Sequence, residues 1–553
     1  MRPLSQLLWL SLCELGQTQA QHAEQSMTLL TRQDSAPEPN KFVRRGMMAI
    51  AAVDGHLYIA GGRVSQRLDD VEEPYVAPIN RTLSIPLDES WDVKDLTVIS
   101  SATNSQFQQV SGHALVAGRS SGRDRLWSWG GRSSKQNAQL YTLTPNGTGG
   151  GDWTQESVPD SITRGEFGSG TSCDGKMIYF GGRARTITDN SVRNLDGDSA
   201  IALPGVLTYD FEDGTWNNKT SEGWPESQET YLRGELICGS VGEKDPVVFA
   251  IGGATIPPTD AKDASSQPLD MSTITFWDMA GERWHQQKTV GGRVPPARES
   301  FCAVGAPGQN GTYEIFVYGG WDKDKNALDD IWILSLPGFR WFQTDAKSTP
   351  RFEHKCHRSG DQMINVGGNI QPIWQEVDEL SQGIGVFNLS SLKWQTNYVT
   401  DTEYDSPDLV KEYYANGGLD DVEWENDDVK AFFVDSSDNN NEDGGGGDSG
   451  DGDDSGSETP VGAIAGGVVG GVAAIAIIGF LIWFMRRRRR NQGKAGPNEV
   501  SGTEINKDST QPLHQSQYDL PPGYRAELDP TSAVMEMEAG TPQARRAPVE
   551  LQG

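Results

Sequence analysis

Six short apolar runs along this chain end in a pair of glycines, and each pair is answered by a tryptophan 21 to 34 residues further on. The pairs are Gly61-Gly62, Gly130-Gly131, Gly181-Gly182, Gly252-Gly253, Gly319-Gly320 and Gly367-Gly368. The tryptophans are Trp91, Trp153, Trp216, Trp284, Trp341 and Trp394. Runs such as Met177-Ile178-Tyr179-Phe180 are aromatic and β-branched, and no long helical period lies between them. Repetition every 48 to 71 residues with this strand chemistry implies small sheets that bury their faces on one another. The expected class is all-β, a β-propeller of six four-stranded blades.

Each unit reads strand by strand. An arginine precedes the first strand in five of them: Arg45, Arg164, Arg233, Arg298 and Arg351. The second strand ends in the glycine pair, which supplies positive φ and room for close backbone approach. Third strands show as Val206-Leu207-Thr208-Tyr209-Asp210 and Ile331-Trp332-Ile333-Leu334, and the tryptophan strand closes the blade. This order resembles the kelch repeat over residues 40–400. Spare length in the longer units is expected as loop insertions.

Composition divides the rest of the chain. Of the formal charge of −30, eighteen excess negatives fall in residues 401–459, where 20 Asp or Glu face two Lys. The propeller shows no basic face, which argues against nucleic acid. Residues 461–484 carry no charge and are followed by Arg486 to Arg490. Such a run spans a ~30 Å hydrocarbon core, and the arginines place the C-terminus in the cytoplasm. Residues 1–20 read as a signal peptide, 401–434 as an acidic membrane-proximal segment with one short helix over 406–414, and 435–460 as a disordered Gly/Asp/Ser stalk. Residues 485–553 read as a disordered cytoplasmic tail. A closing strand from 26–31 or 429–434 is an open alternative for the propeller.

The glycosylation sequons at Asn80, Asn146, Asn218, Asn310 and Asn388 all precede the apolar run, each where a surface turn or loop is expected. Cys13 leaves with the signal peptide. Cys173, Cys238, Cys302 and Cys356 sit in first strands, either pairing between neighbouring blades as Cys173–Cys238 and Cys302–Cys356 or packing singly near the axis.

Two function classes compete. Copper radical oxidases such as galactose oxidase build their site on kelch blades, with two histidines, a crosslinked tyrosine and a Tyr-His dipeptide. This chain has seven histidines and no Tyr-His. His354 and His357 fall on opposite faces of a strand. No catalytic residue, metal or cofactor is therefore assigned, and an anchored oxidoreductase of the galactose-oxidase type is the alternative reading. The preferred reading is a non-catalytic binding module for an extracellular protein or glycan. Loops 63–80, 183–199 and 254–270 follow glycine pairs, show no strand pattern and offer a recognition surface. The arginines ahead of the first strands are expected to serve blade packing.

The whole layout resembles the single-pass kelch-repeat surface proteins of filamentous fungi, which implies a plasma-membrane location with the N-terminus outside. Gly462, Gly466 and Gly470 form a small-xxx-small array that supports a homodimer through the span. In the tail, Pro521, Pro522 and Tyr524 form the Pro-Pro-x-Tyr ligand pattern of WW domains, with a WW-domain ubiquitin ligase as the expected partner and Lys494 and Lys507 as acceptors.

Overall fold

A computed structural model describes residues 37–69, 72–79, 81–102, 107, 109–133, 139–192, 199–225, 230–257, 266–371 and 373–434. The signal peptide, stalk, apolar run, its glycine array, the tail motif and Asn80 lie outside the described residues. Among the described residues no helix is long and apolar enough to cross a membrane.

The described chain is nearly all β and forms six four-stranded antiparallel sheets in sequence order. Their first strands are Ala49–Val53, Val110–Ser120, Ser169–Cys173, Glu235–Gly239, Cys302–Pro307 and Lys355–Ser359, numbered here as sheets I to VI. Each meets the first strands of its two neighbours, and that of sheet VI meets that of sheet I, so the cycle closes. This arrangement fits a β-propeller. Second strands such as Val247–Ile251 and Gln362–Val366 are buried at every residue. A sheet wedged between two others has no solvent face, which is why these strands read as unbroken apolar runs rather than alternations.

The core is correspondingly divided, with one cluster in each gap between neighbouring sheets. Outer-strand tryptophans fill these gaps. Trp153 donates its indole N–H to Thr82 Oγ1 of sheet I at 2.7 Å. Trp341 reaches the Met271 carbonyl beside sheet IV at 2.9 Å. Trp216, Trp284 and Trp394 pack toward sheets II, III and V in the same way.

Trp91 departs from the expected position. The fourth strand of sheet I is Ile99–Ala102, and Trp91–Asp92 instead pairs with Asn397–Tyr398, which follows sheet VI. Its ring stacks on Tyr398 at 5.0 Å and still packs on the cluster between sheets VI and I. The gap thus keeps its tryptophan, delivered by a ribbon that ties the two ends of the cycle.

Three further expectations need correction. The long loops do contain strands: Arg63–Gln66 and Tyr75–Pro78 form a sheet with Phe42–Gly46, and Arg183–Ala184 with Ile201–Ala202 and Ala254–Thr255 with Gln267–Pro268 form ribbons. Residues 429–434 add no strand; helix α2, Asp427–Ala431, which follows α1, Asp408–Ala415, ends within them. Both helices dock on the propeller, with Val410 in the gap between sheets V and VI and Val429 and Phe433 in that between IV and V. Asn388 ends a third strand, is only 8% exposed, and donates its amide to Asp361 at 2.6 Å. It is not the surface turn expected for a glycosylation site.

Of the alternatives for the cysteines, the structure takes the disulfides: Cys173–Cys238 joins sheets III and IV, and Cys302–Cys356 joins V and VI.

Candidate binding face

All twelve glycines of the six pairs have positive φ, between 51° and 121°. The second glycine of each pair donates its N–H to the next sheet, at 2.7–2.8 Å: to the carbonyls of Val110, Gly165, Tyr231, Arg298, Arg351 and Arg45 in turn. A Cβ on Gly181 would sit 2.0 Å from the Tyr231 carbonyl oxygen, and one on Gly61 would sit 2.3 Å from that of Val110. The pairs exist because neighbouring backbones touch there.

Two residues beyond each of those acceptors stands another residue at positive φ: Met47, Gly112, Phe167, Arg233, Ser300 and Glu353. Each donates its N–H to the carbonyl of a neighbour, at 2.8–3.3 Å: Gly112 to Met47, Phe167 to Gly112, Arg233 to Phe167, Ser300 to Arg233, Glu353 to Ser300 and Met47 to Glu353. The six bonds form a closed loop around the axis. Five of the six residues carry side chains despite the strained φ, a cost that persists only where surrounding structure imposes it.

The acceptor positions also sort the arginines. Arg45, Arg298 and Arg351 occupy them, whereas Arg164 falls one residue early and Arg233 two residues late, within the inner loop. Arg298 and Arg351 are fully buried, bind the Gly319 and Gly367 carbonyls, and pair with Asp330 and Asp378. These arginines hold the fold, as expected. Arg233 does something else.

At this end of the ring, side chains converge from several sheets. The residues after the glycine pairs pair with those before the inner loop: Gly46 with Arg63, Ser111 with Arg132, Glu166 with Arg183, Glu299 with Trp321 and Phe352 with Asn369. Buried Glu166 meets Arg132 at 2.7 Å, Arg183 at 3.1 Å and Arg185 at 2.8 Å. Burial raises its pKa, but the three guanidiniums outweigh that and hold it below the ordinary carboxylate value. Phe167 lies beneath Arg132, Arg183 and Arg233, with guanidinium carbons 4.8–5.6 Å from its centroid. Glu299 pairs with Arg233 and Lys325, and Lys325 lies over Trp321.

Arg63 is different. Its side chain has no hydrogen-bonded or ion-paired partner among the described residues. Burial and the charge of Arg132 lower its pKa, opposed by Glu353. Glu353 accepts from Asn369 at 2.9 Å. Sequence reasoning missed this cluster, since only the register of the sheets brings residues 63, 132, 166, 183 and 233 together.

Elsewhere, ligand-type atoms of Cys302, His354 and Cys356 lie within 4.8 Å of one another. The two sulfurs are joined to each other, and His354 Nε2 faces the Tyr318 carbonyl at 3.1 Å. Burial, then the charge of Arg351, pushes its pKa well below the ordinary value. His354 precedes the strand that carries His357. Of the other sequons, Asn146 and Asn310 are exposed in turns and Asn218 is exposed in an outer strand.

Residues 44–73 match the Kelch motif. The chain is 24% identical over 428 residues to a Kelch repeat-containing protein of Arthroderma benhamiae, covering 69% of this chain and 60% of that protein. It is 23% identical over 345 residues to Acyl-CoA-binding domain-containing protein 4 of Arabidopsis thaliana, covering 60% of this chain and 42% of that one. Kelch domain-containing protein 2 of Bos taurus is 22% identical over 343 residues, 58% of this chain and 74% of its own length. The chain therefore spans less than two thirds of the first two relatives. These matches and the sheet topology support a kelch-repeat protein.

Proposed function

We propose that this protein is a non-catalytic binding module, a six-bladed kelch propeller that takes a partner at its glycine-pair end. The observation that carries the reading is the convergence of charged and aromatic side chains from several sheets on a hydrogen-bonded inner loop. The hairpin ribbons after three glycine pairs rise on the same end, because they join second to third strands. Rigid strands holding loops in this way favour recognition. In this reading the module stands outside the cell on the single span 461–484, supported by its charge-free length and by Arg486 to Arg490. The Gly462, Gly466 and Gly470 array pairs two spans, and Tyr524 recruits a WW-domain ligase that sets surface lifetime.

Photocrosslinkers test the face. Ile187 and Val377 are exposed, 41% and 46%, in loops at the glycine-pair end. Ser121 and Asp174 lie in the hairpin turns at the other end. Placed at all four sites in the full-length protein on cells, crosslinkers at 187 and 377 capture a discrete partner. Capture at 121 and 174 alone would place recognition on the wrong end. For the tail, Tyr524→Ala slows internalisation of surface-labelled protein; an unchanged rate removes that part of the proposal.

A further inference from the structure

Around the inner loop, the cations Arg63, Arg132, Arg183, Arg185, Arg233 and Lys325 outnumber the acids Glu166, Glu299 and Glu353 by three. They do so in a chain whose net charge is −30. Most of these cations are spent on protein acids, but two keep unused donors. Arg132 uses Nε on Glu166, and its side chain is 26% exposed with no other hydrogen-bonded partner for its terminal nitrogens among the described residues. Arg63 has no such partner at all among the described residues. The backbone brings the two positions side by side: Arg63 pairs with Gly46, Arg132 pairs with Ser111, and Gly112 donates its N–H to the Met47 carbonyl at 2.9 Å. Two guanidiniums with unused donors on neighbouring strand ends at the mouth of a ring suit planar anions.

We propose that Arg63 and Arg132 bind the carboxylates of an acidic peptide segment presented by a protein partner. This inference rests on the glycine-pair end being the binding face. A peptide is favoured over an acidic glycan because sugar rings are recognised on open aromatic faces, and the faces here are occupied. Phe167 is covered by three guanidiniums and Trp321 by Arg233 and Lys325. The planar forks match carboxylates, and the flanking cations prevent Glu166 and Glu299 from repelling the incoming acid.

The experiment measures binding of a fluorescent Glu-Gly repeat peptide to the full-length protein in detergent. A Gln-Gly peptide and an oligogalacturonate are the comparison probes. The Glu peptide binds, weakens with salt, and loses about tenfold with either Arg63→Ala or Arg132→Ala, the scale of one charge-assisted fork. Arg63→Lys recovers part of that loss, since it restores charge without the fork. Equal binding of Glu and Gln peptides overturns the proposal, as does wild-type affinity in the double alanine variant or preference for the oligogalacturonate. If partner capture at residues 187 and 377 survives the double variant, the binding face stands and only the carboxylate assignment falls.

Discussion

At the scale of single residues, the glycine pairs serve contact between sheets rather than flexibility. Gly175 has φ 72° and open space where a Cβ would go, whereas Gly181 has φ 74° and a carbonyl oxygen 2.0 Å away. Gly175→Ala should cost about 1 kcal/mol, from the left-handed backbone alone. Gly181→Ala adds displacement of a neighbouring sheet and should cost about 3 kcal/mol or more. Urea midpoints of the two variants check this, and equal losses would show that contact is not the reason for the pair. His113 gives a second residue-scale prediction. Burial, then the charge of Lys355, lowers its pKa from the ordinary 6.5 to about 3. The folded state keeps it neutral while the unfolded chain takes a proton below 6.5. Stability is therefore full above pH 6.5 and falls as pH drops toward 3. His113→Gln should flatten that slope in urea titrations across the window; an unchanged slope assigns it to other groups. The glycines were legible in sequence because no other residue serves at those positions. The offset of Arg164 and Arg233 was not, since the stretch between arginine and first strand varies in length and only the carbonyl acceptors fix its register.

At the scale of elements, sheets that share no backbone ladder are held by the glycine-pair and inner-loop hydrogen bonds, by side chains and by two disulfides. Cys173–Cys238 and Cys302–Cys356 close loops of 65 and 54 residues. Restricting loops of that size in the unfolded chain stabilises by at most about 4 kcal/mol each. Replacing either pair with two alanines should lower stability by about 2–4 kcal/mol in urea unfolding; no loss would mean the bridge adds nothing to the packed gap. Second strands, third strands and five of the six tryptophan strands followed from their apolar and aromatic runs. The ribbons Arg183–Ala184 and Ala254–Thr255 did not, because two-residue strands carry no periodicity. Trp91 misled for a related reason: its side chain keeps the expected gap while its backbone leaves the expected strand. Helix α1 was readable from the run after Pro407, but its docking on the propeller was not, since its buried face is the single residue Val410.

At the scale of the molecule, closure makes one end of the ring a shared surface. The inner loop of hydrogen bonds runs through six segments spread over residues 47–353, so its side chains meet only when the whole cycle forms. The Glu235–Lys355 ion pair makes the same point, joining the first strands of sheets IV and VI, which are not neighbours. A net charge of −30 gave no sign of a cationic mouth, because composition sums over a surface that the fold divides. The central claim, that recognition occurs at this mouth, is tested most directly by hydrogen–deuterium exchange of the full-length protein with and without the Glu-Gly peptide. The account predicts slower exchange in the segments around Arg63, Arg132, Phe167 and Lys325, with the turns at Gly55, Gly122 and Gly175 unchanged. Protection confined to those turns, or spread evenly over the six sheets, would contradict it.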